Sequence, residues 1–169
     1  MTHIIVTHLD PDHAGGLSDF PQAKVHVLAE EHLGATRRPS AKERARYRPM
    51  QWDASTRWQL YGVRGEPWFG FDAVRDLRGL PPELLMIPMS GHSRGHACVA
   101  IDTGSGWLLH CGDAYFQHGS IHPGTPCASA LTLFERTVAL DYEVVRANQH
   151  RLSELAQSHS DTVQLFCSH

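Results

Sequence analysis

Residues 7–16 read THLDPDHAGG and place His8, Asp10, Asp12 and His13 within six positions. In an extended stretch alternate residues share a face, so His8, Asp10 and Asp12 can point one way, and a turn at Pro11 can bring His13 round to them. Imidazole and carboxylate together suit zinc, iron or manganese. Gly15-Gly16 then lets the backbone pass close to such a site and start a helix. Aspartates that only cap that helix are the alternative, but capping does not require four ligand-type side chains. Three later stretches carry the same residue types. SGHSRGH, residues 90–96, holds His92 and His96, one suited to be a ligand and the other a buried hydrogen-bonding residue. HCGDAY, residues 110–115, sets Asp113 after a glycine, and FCSH ends the chain on His169.

Taken alone each stretch is weak. Taken in order, HxDxDH, GHxxGH, GDA and a strand-end histidine resemble the metallo-β-lactamase superfamily, and the resemblance covers nearly the whole chain. It implies an α/β fold, an αβ/βα sandwich that holds one or two metals at the edge between two β-sheets. By the same resemblance His8, Asp10 and His92 surround a first metal, Asp12, His13 and His169 hold a second, and Asp113 bridges them. His96 matches the second histidine of GHxxGH, which is not usually a ligand. Two adjacent cations lower the pKa of a bridging water and polarise a carbonyl or phosphoryl oxygen, with Asp12 and Asp113 as the catalytic carboxylates. The implied activity is metal-dependent hydrolysis of a small ester, lactone or thioester, with some likeness to acyl-homoserine lactonases and glyoxalase II-type hydrolases. The same fold also serves phosphodiesterases and nucleases, redox di-iron proteins and non-catalytic metal-binding modules.

The sequence departs from the family pattern in three places. Asp10 stands where the family has the second histidine of HxHxDH, which moves preference from Zn2+ towards iron or manganese. The lactonases carry a tyrosine three residues after the bridging aspartate; here Tyr115 is two after Asp113 and Phe116 is third. Tyr115 is therefore either a residue facing substrate or a core residue. Lastly, only Met1 to Thr7 precede the first motif, and the chain stops on the expected last ligand. The expectation is one metallo-β-lactamase-like domain over 1–169, truncated at both ends and lacking the usual N-terminal strands. An apolar sheet edge left bare in this way would favour a homodimer.

The elements that must position these residues follow from the apolar pattern. Strands are expected at Ile4–Val6, Lys24–Leu28, Leu84–Met89, Ala97–Ile101, Trp107–Cys111 and Val163–Cys167, with antiparallel strands at Arg57–Val63 and Trp68–Leu77. Ala29–Gly34 reads as a helical turn or two. The charge-dense stretch Arg37–Arg48 reads as a mobile loop and a solvated helix, with a basic rim for an anionic substrate as its functional alternative. Ser129–Ser158 is helical with a break near Asp141, and Leu131, Phe134, Val138, Leu152 and Leu155 form its core stripe. Every His/Asp cluster thus follows a strand, where loops over a rigid sheet commonly carry chemistry.

The chain has 169 residues, a net charge of −3 and 13 histidines. The length allows one domain, and the charge argues against nucleic-acid binding through a basic field. Cys98, Cys111, Cys127 and Cys167 never fall in CxxC spacing, which fits free thiols in a reducing compartment. No apolar run reaches membrane-spanning length. These features together predict a cytoplasmic protein with a small-molecule substrate. His118 and His122 are expected as exposed loop residues.

Overall fold

The computed structural model describes residues 1–52, 55–74 and 77–169. Strand β1 (His3–Ile5) enters the short helix α1 (Pro11–Ala14), followed by β2 (Lys24–Leu28), α2 (Ala29–Arg37), α3 (Ala41–Arg46) and β3 (Arg57–Tyr61). Strands β4 (Glu66–Trp68) and β5 (Phe71–Ala73) form a hairpin. Then come β6 (Leu84–Pro88), β7 (Ala97–Asp102), β8 (Trp107–His110), α4 (Ser129–Val138), α5 (Tyr142–Ser158) and β9 (Val163–Phe166).

One sheet has the order β1-β2-β3 and is parallel throughout. The other has the order β6-β7-β8-β9, antiparallel except for the β8–β9 pair. Val74 and Met86 exchange backbone hydrogen bonds of 2.8 and 3.0 Å, which tie the hairpin to the edge strand β6. The expected antiparallel strand at Arg57–Val63 is corrected here: β3 runs parallel to β2 because the helices α2 and α3 carry the chain back between them. Trp68–Leu77 is a hairpin rather than one strand, and its positions 75–76 lie outside the described residues.

Alternation along each strand sorts its side chains into layers. On β6 and β7, Leu85, Ile87, Cys98 and Ala100 enter a core shared with Leu152 and Leu155 of α5. Met86 and Ala97 face the other way, to Leu28 and Tyr61 of the first sheet. On the outer side of that sheet Val25 and Val27 meet Ala35 of α2 and Tyr47. The two sheets are thus stacked, with α2 against β2 and β3 and α5 against β9, and the near-continuous apolar runs of β6 and β7 follow from burial on both faces.

The helical stretch breaks where expected: Asp141 caps α5, its carboxylate accepting from Val144 N at 3.2 Å. The core stripe needs correction in part. Leu152 and Leu155 are buried, but Leu131 and Phe134 are 43% and 55% exposed. The buried residue of α4 is Glu135, which accepts from Gln149 Nε2 of α5 at 2.7 Å; the apolar side chains of α4 consequently lie at the surface. Arg37–Arg48 is also corrected. Ser40 and Glu43 form a reciprocal capping box on α3, and Glu43 and Tyr47 are buried, so this stretch is anchored in the body. All four cysteines are free. No helix among the described residues is long and apolar enough to cross a membrane.

Between the sheets, His26 is fully buried, with Nε2 2.7 Å from His3 Nδ1 and Nδ1 2.7 Å from Tyr61 Oη. Burial, with the charges of His3 and Lys24, pushes its pKa down to about 4. The unfolded chain therefore binds a proton that the folded chain excludes, and stability falls as pH drops from about 6.5 towards 4. Urea unfolding at pH 7 and pH 5 should show a loss of about 2 kcal/mol in the wild type beyond that in His26→Gln. An equal loss in both would refute this assignment.

Candidate metal centre

The four motifs meet at one edge of the sandwich because each follows a strand end or a backbone tie between sheets. Thr7 leaves β1 and its carbonyl accepts from Ala97 N at 2.9 Å, joining the first motif to the start of β7. Past β6, Met89 N donates to His96 O at 2.8 Å and closes the GHSRGH loop. Past β8 and β9, Ser168 N donates to Gly112 O at 3.1 Å, which sets His169 beside Asp113.

The first cluster comprises His8, Asp10, His92 and Asp113. Asp10 Oδ2 lies 3.5 Å from His8 Nε2 and 3.1 Å from His92 Nε2. Asp113 Oδ2 lies 3.7 and 3.6 Å from the same two nitrogens. In the second cluster His13 Nε2 is 3.6 Å from Asp12 Oδ2 and 3.2 Å from Asp113 Oδ1, and His169 Nε2 is 3.3 Å from Asp113 Oδ2. The structure thus brings together all seven expected ligand residues, with the Asp113 carboxylate between the two clusters.

The clusters fit divalent cations. Four ligands at about 2.0–2.1 Å from a tetrahedral ion stand roughly 3.3 Å apart, and the first cluster spans distances close to that. His8 Nε2 and Asp113 Oδ1 are buried and face only the other cluster side chains, at 3.2–3.7 Å, with no well-formed hydrogen bond. Such atoms normally find partners, so orphans gathered in one place indicate a missing charge rather than a missing hydrogen bond. The environment also prepares the ligands. His8 Nδ1 lies 3.0 Å from Thr7 Oγ1, a bond that turns the Nε2 lone pair into the cluster.

Electrostatics favour bare carboxylates. Burial alone would raise the Asp10 pKa, but the His8 and His92 rings set against it and the charge of Arg46 hold it far below the usual range. Burial is likewise outweighed at Asp113, by His13, His8 and His92, and its carboxyl is held low. Burial, only partly opposed by Asp10, lowers the pKa of His92. His13 moves the other way: the close Asp113 carboxylate overcomes burial and raises it.

His96 is the buried hydrogen-bonding histidine of its motif. Its Nδ1 donates to Met89 O at 3.1 Å and its Nε2 accepts from Asp113 N at 2.9 Å, so it fixes the backbone that carries the shared carboxylate. Gly112 allows this approach. Its φ is +52°, and a Cβ there would lie 2.7 Å from His96 Nε2 and 2.9 Å from Thr7 Cβ. Gly112→Ala should therefore cost at least about 2 kcal/mol in urea unfolding and reduce metal uptake; an unchanged midpoint would refute this.

Tyr115 is corrected. It is packed in the core of the second sheet, and burial beside Cys111 and Cys167 pushes its phenol up, out of reach of acid–base work near neutral pH. Phe116 is the residue that borders the clusters, its ring 5.7 Å from that of His92 and 4.9 Å from that of His169. The three-residue spacing from Asp113 was its signal. His118 and His122 stack on each other and join none of the ligand groups among the described residues.

Two more residues had no legible sequence signal. Arg46 Nη1 donates to both oxygens of Asp10, at 3.3 and 3.0 Å, while its Nη2 donates to Val138 O. Glu31 is fully buried and accepts from Leu9 N, Tyr47 Oη, Ser93 Oγ and Gly95 N at 2.7–3.0 Å. It joins the loop of His8 and Asp10 to the loop of His92.

A model of the metallo-beta-lactamase superfamily matches residues 1–150. Probable metallo-hydrolases of Mycobacterium bovis and Mycobacterium tuberculosis are each 40% identical over 167 residues, which is 99% of this chain and 54% of theirs. The chain therefore spans about half the length of these curated relatives. Among solved structures, a probable metal-dependent hydrolase from Staphylococcus aureus aligns over 100% of this chain and 55% of its own, at TM-score 0.69 and 19% identity. A dizinc quorum-quenching lactonase in complex with a product aligns over 100% and 57%, at TM-score 0.64 and 17% identity.

Proposed function

The chain belongs to the metallo-beta-lactamase superfamily, and from that premise we propose that it forms the metal-holding part of a hydrolase acting on a small ester, lactone or thioester. The observation that carries this reading is the Asp113 carboxylate set between two His/Asp clusters, with buried His8 Nε2 and Asp113 Oδ1 turned into them.

In this reading His8, Asp10, His92 and Asp113 hold one divalent cation, and Asp12, His13, His169 and Asp113 hold the other. When bound, the cations supply Lewis acidity, lowering the pKa of water and drawing charge from the substrate carbonyl. Asp113 keeps the two clusters at a fixed separation. His96 and Thr7 hold the orientation of Asp113 and His8. Asp12 is 63% exposed at its side chain, so its carboxylate is placed to accept a proton at the solvent side. Phe116 forms an apolar wall against which a substrate can exclude water. The lactone version draws support from the named activity of the dizinc structural relative. Asp10, an oxygen ligand in a family position for nitrogen, favours iron or manganese alongside zinc.

The test is metal uptake followed by turnover. Chain stripped by chelation and reloaded separately with zinc, manganese and iron should take up about two equivalents, measured by elemental analysis. The loaded chain should then hydrolyse members of a lactone, aryl ester and thioester panel. Failure to take up metal would overturn the reading, whereas uptake without turnover would leave a non-catalytic metal-binding module.

A further inference from the structure

Beside the first cluster lies a cavity of about 370 Å³ bordered by Asp10, Lys42, Arg46, Arg48, Thr137 and Val138. Three of its eight lining residues are cations. The charge of Arg46 is already matched by Asp10. The other two have no carboxylate partner among the described residues: Lys42 Nζ donates to Ala139 O at 2.6 Å, and Arg48 Nη1 donates to Ala45 O at 2.6 Å. Both are exposed, and both line the cavity.

The wall that carries them is built rather than solvated. The capping box fixes the start of α3, and the Glu43 carboxylate accepts from Arg94 Nε at 2.8 Å. At the other end of the helix Tyr47 Oη donates to Glu31 at 3.0 Å. The helix is therefore fixed to the elements that hold both His/Asp loops, and Lys42 on it and Arg48 just past its end border the same cavity as Asp10. A cation on a substrate would be repelled by Lys42 and Arg48, and a neutral oxygen could accept hydrogen bonds from them without matching their charge. An anionic oxygen group supplies the missing charge.

We propose that this cavity is a subsite for an anionic oxygen group of the substrate, a carboxylate or a phosphate, held by Lys42 and Arg48 while the scissile carbonyl lies at the His/Asp clusters. The proposal rests on the reading of those clusters as the reacting centre, and it narrows the substrate class to acidic esters, lactones or thioesters.

The experiment separates the two readings by measuring binding without metal or turnover. Glutarate, glycerol 3-phosphate and neutral glutaramide are titrated calorimetrically into chelator-treated full chain at pH 8, as wild type and as Lys42→Ala/Arg48→Ala. At least one anion should bind about tenfold more tightly than glutaramide, and the double variant should lose that preference. Which anion binds more tightly identifies the carboxylate or the phosphate as the natural group. Equal binding of all three probes, or a preference kept in the double variant, overturns the subsite. Because both substituted residues are exposed, folding of the variant is checked by its unchanged urea midpoint. A chain that shows the preference but takes up no metal would keep the subsite and lose the hydrolase. A chain that takes up metal without the preference would do the reverse.

Discussion

Replacing Asp113 with asparagine is expected to reduce bound metal from about two equivalents to one or fewer, and to slow hydrolysis at least about a thousandfold. Among the described residues Asp113 is the one whose carboxylate contacts both clusters, Oδ2 meeting His8 and His92 of the first and His169 of the second at 3.3–3.7 Å and Oδ1 meeting His13 of the second at 3.2 Å. Asparagine keeps the shape and the backbone bond to His96, but it removes the charge and turns an N–H₂ group towards one cluster. Folding should barely suffer. In chelator the variant should unfold within about 1 kcal/mol of the wild type, because the substituted amide no longer buries an anion. A variant that retained both equivalents and its rate would refute the bridging role.

The second large effect is expected at Glu31, and it is one of stability. All four partners of this buried carboxylate are donors, and two of them, Leu9 N and Gly95 N, are backbone groups that cannot reverse. In Glu31→Gln an amide N–H₂ must face one of those pairs. Ser93 and Tyr47 can rotate their hydroxyls to accept, but a backbone N–H cannot, so one buried donor stays unpaired. The expected cost is about 3 kcal/mol in urea unfolding. The change should also weaken metal retention at the first cluster, since Leu9 lies between His8 and Asp10 and Ser93 follows His92. A midpoint within about 0.5 kcal/mol of wild type would show that the network is not a clamp.

The candidate ligands were legible because metal binding demands particular residue types, and His8, Asp12, His13, His92, Asp113 and His169 keep those types in order along the chain. The strands that deliver them were legible from apolar runs, since a sheet covered on both sides needs little polar alternation. What escaped depends on the partner across space. Leu131 and Phe134 have helical spacing, yet which side of α4 faces inward is decided by Gln149 reaching Glu135. β3 has the composition of any strand, and its direction is set by the helices before it. Tyr115 and Phe116 are chemically close neighbours that point to opposite sides, so a shift of one residue exchanged core for site. Glu31 lies in AEEH, a stretch ordinary for an exposed helix, and only the folded loops reveal that its carboxylate is enclosed.

The ligand clusters draw on residues from His8 at one end to His169 at the other, and on both sheets. That distribution constrains the order of events during folding. The second set is complete only when His169 arrives, so the chain cannot hold metal at both clusters until β9 has docked against β8. Contacts of such long sequence separation form late, after the entropic cost of closing the intervening loops has been met. Metal capture would then act as a latch on an already assembled sandwich. It should slow unfolding far more than it speeds folding, leaving the refolding rate almost independent of metal concentration.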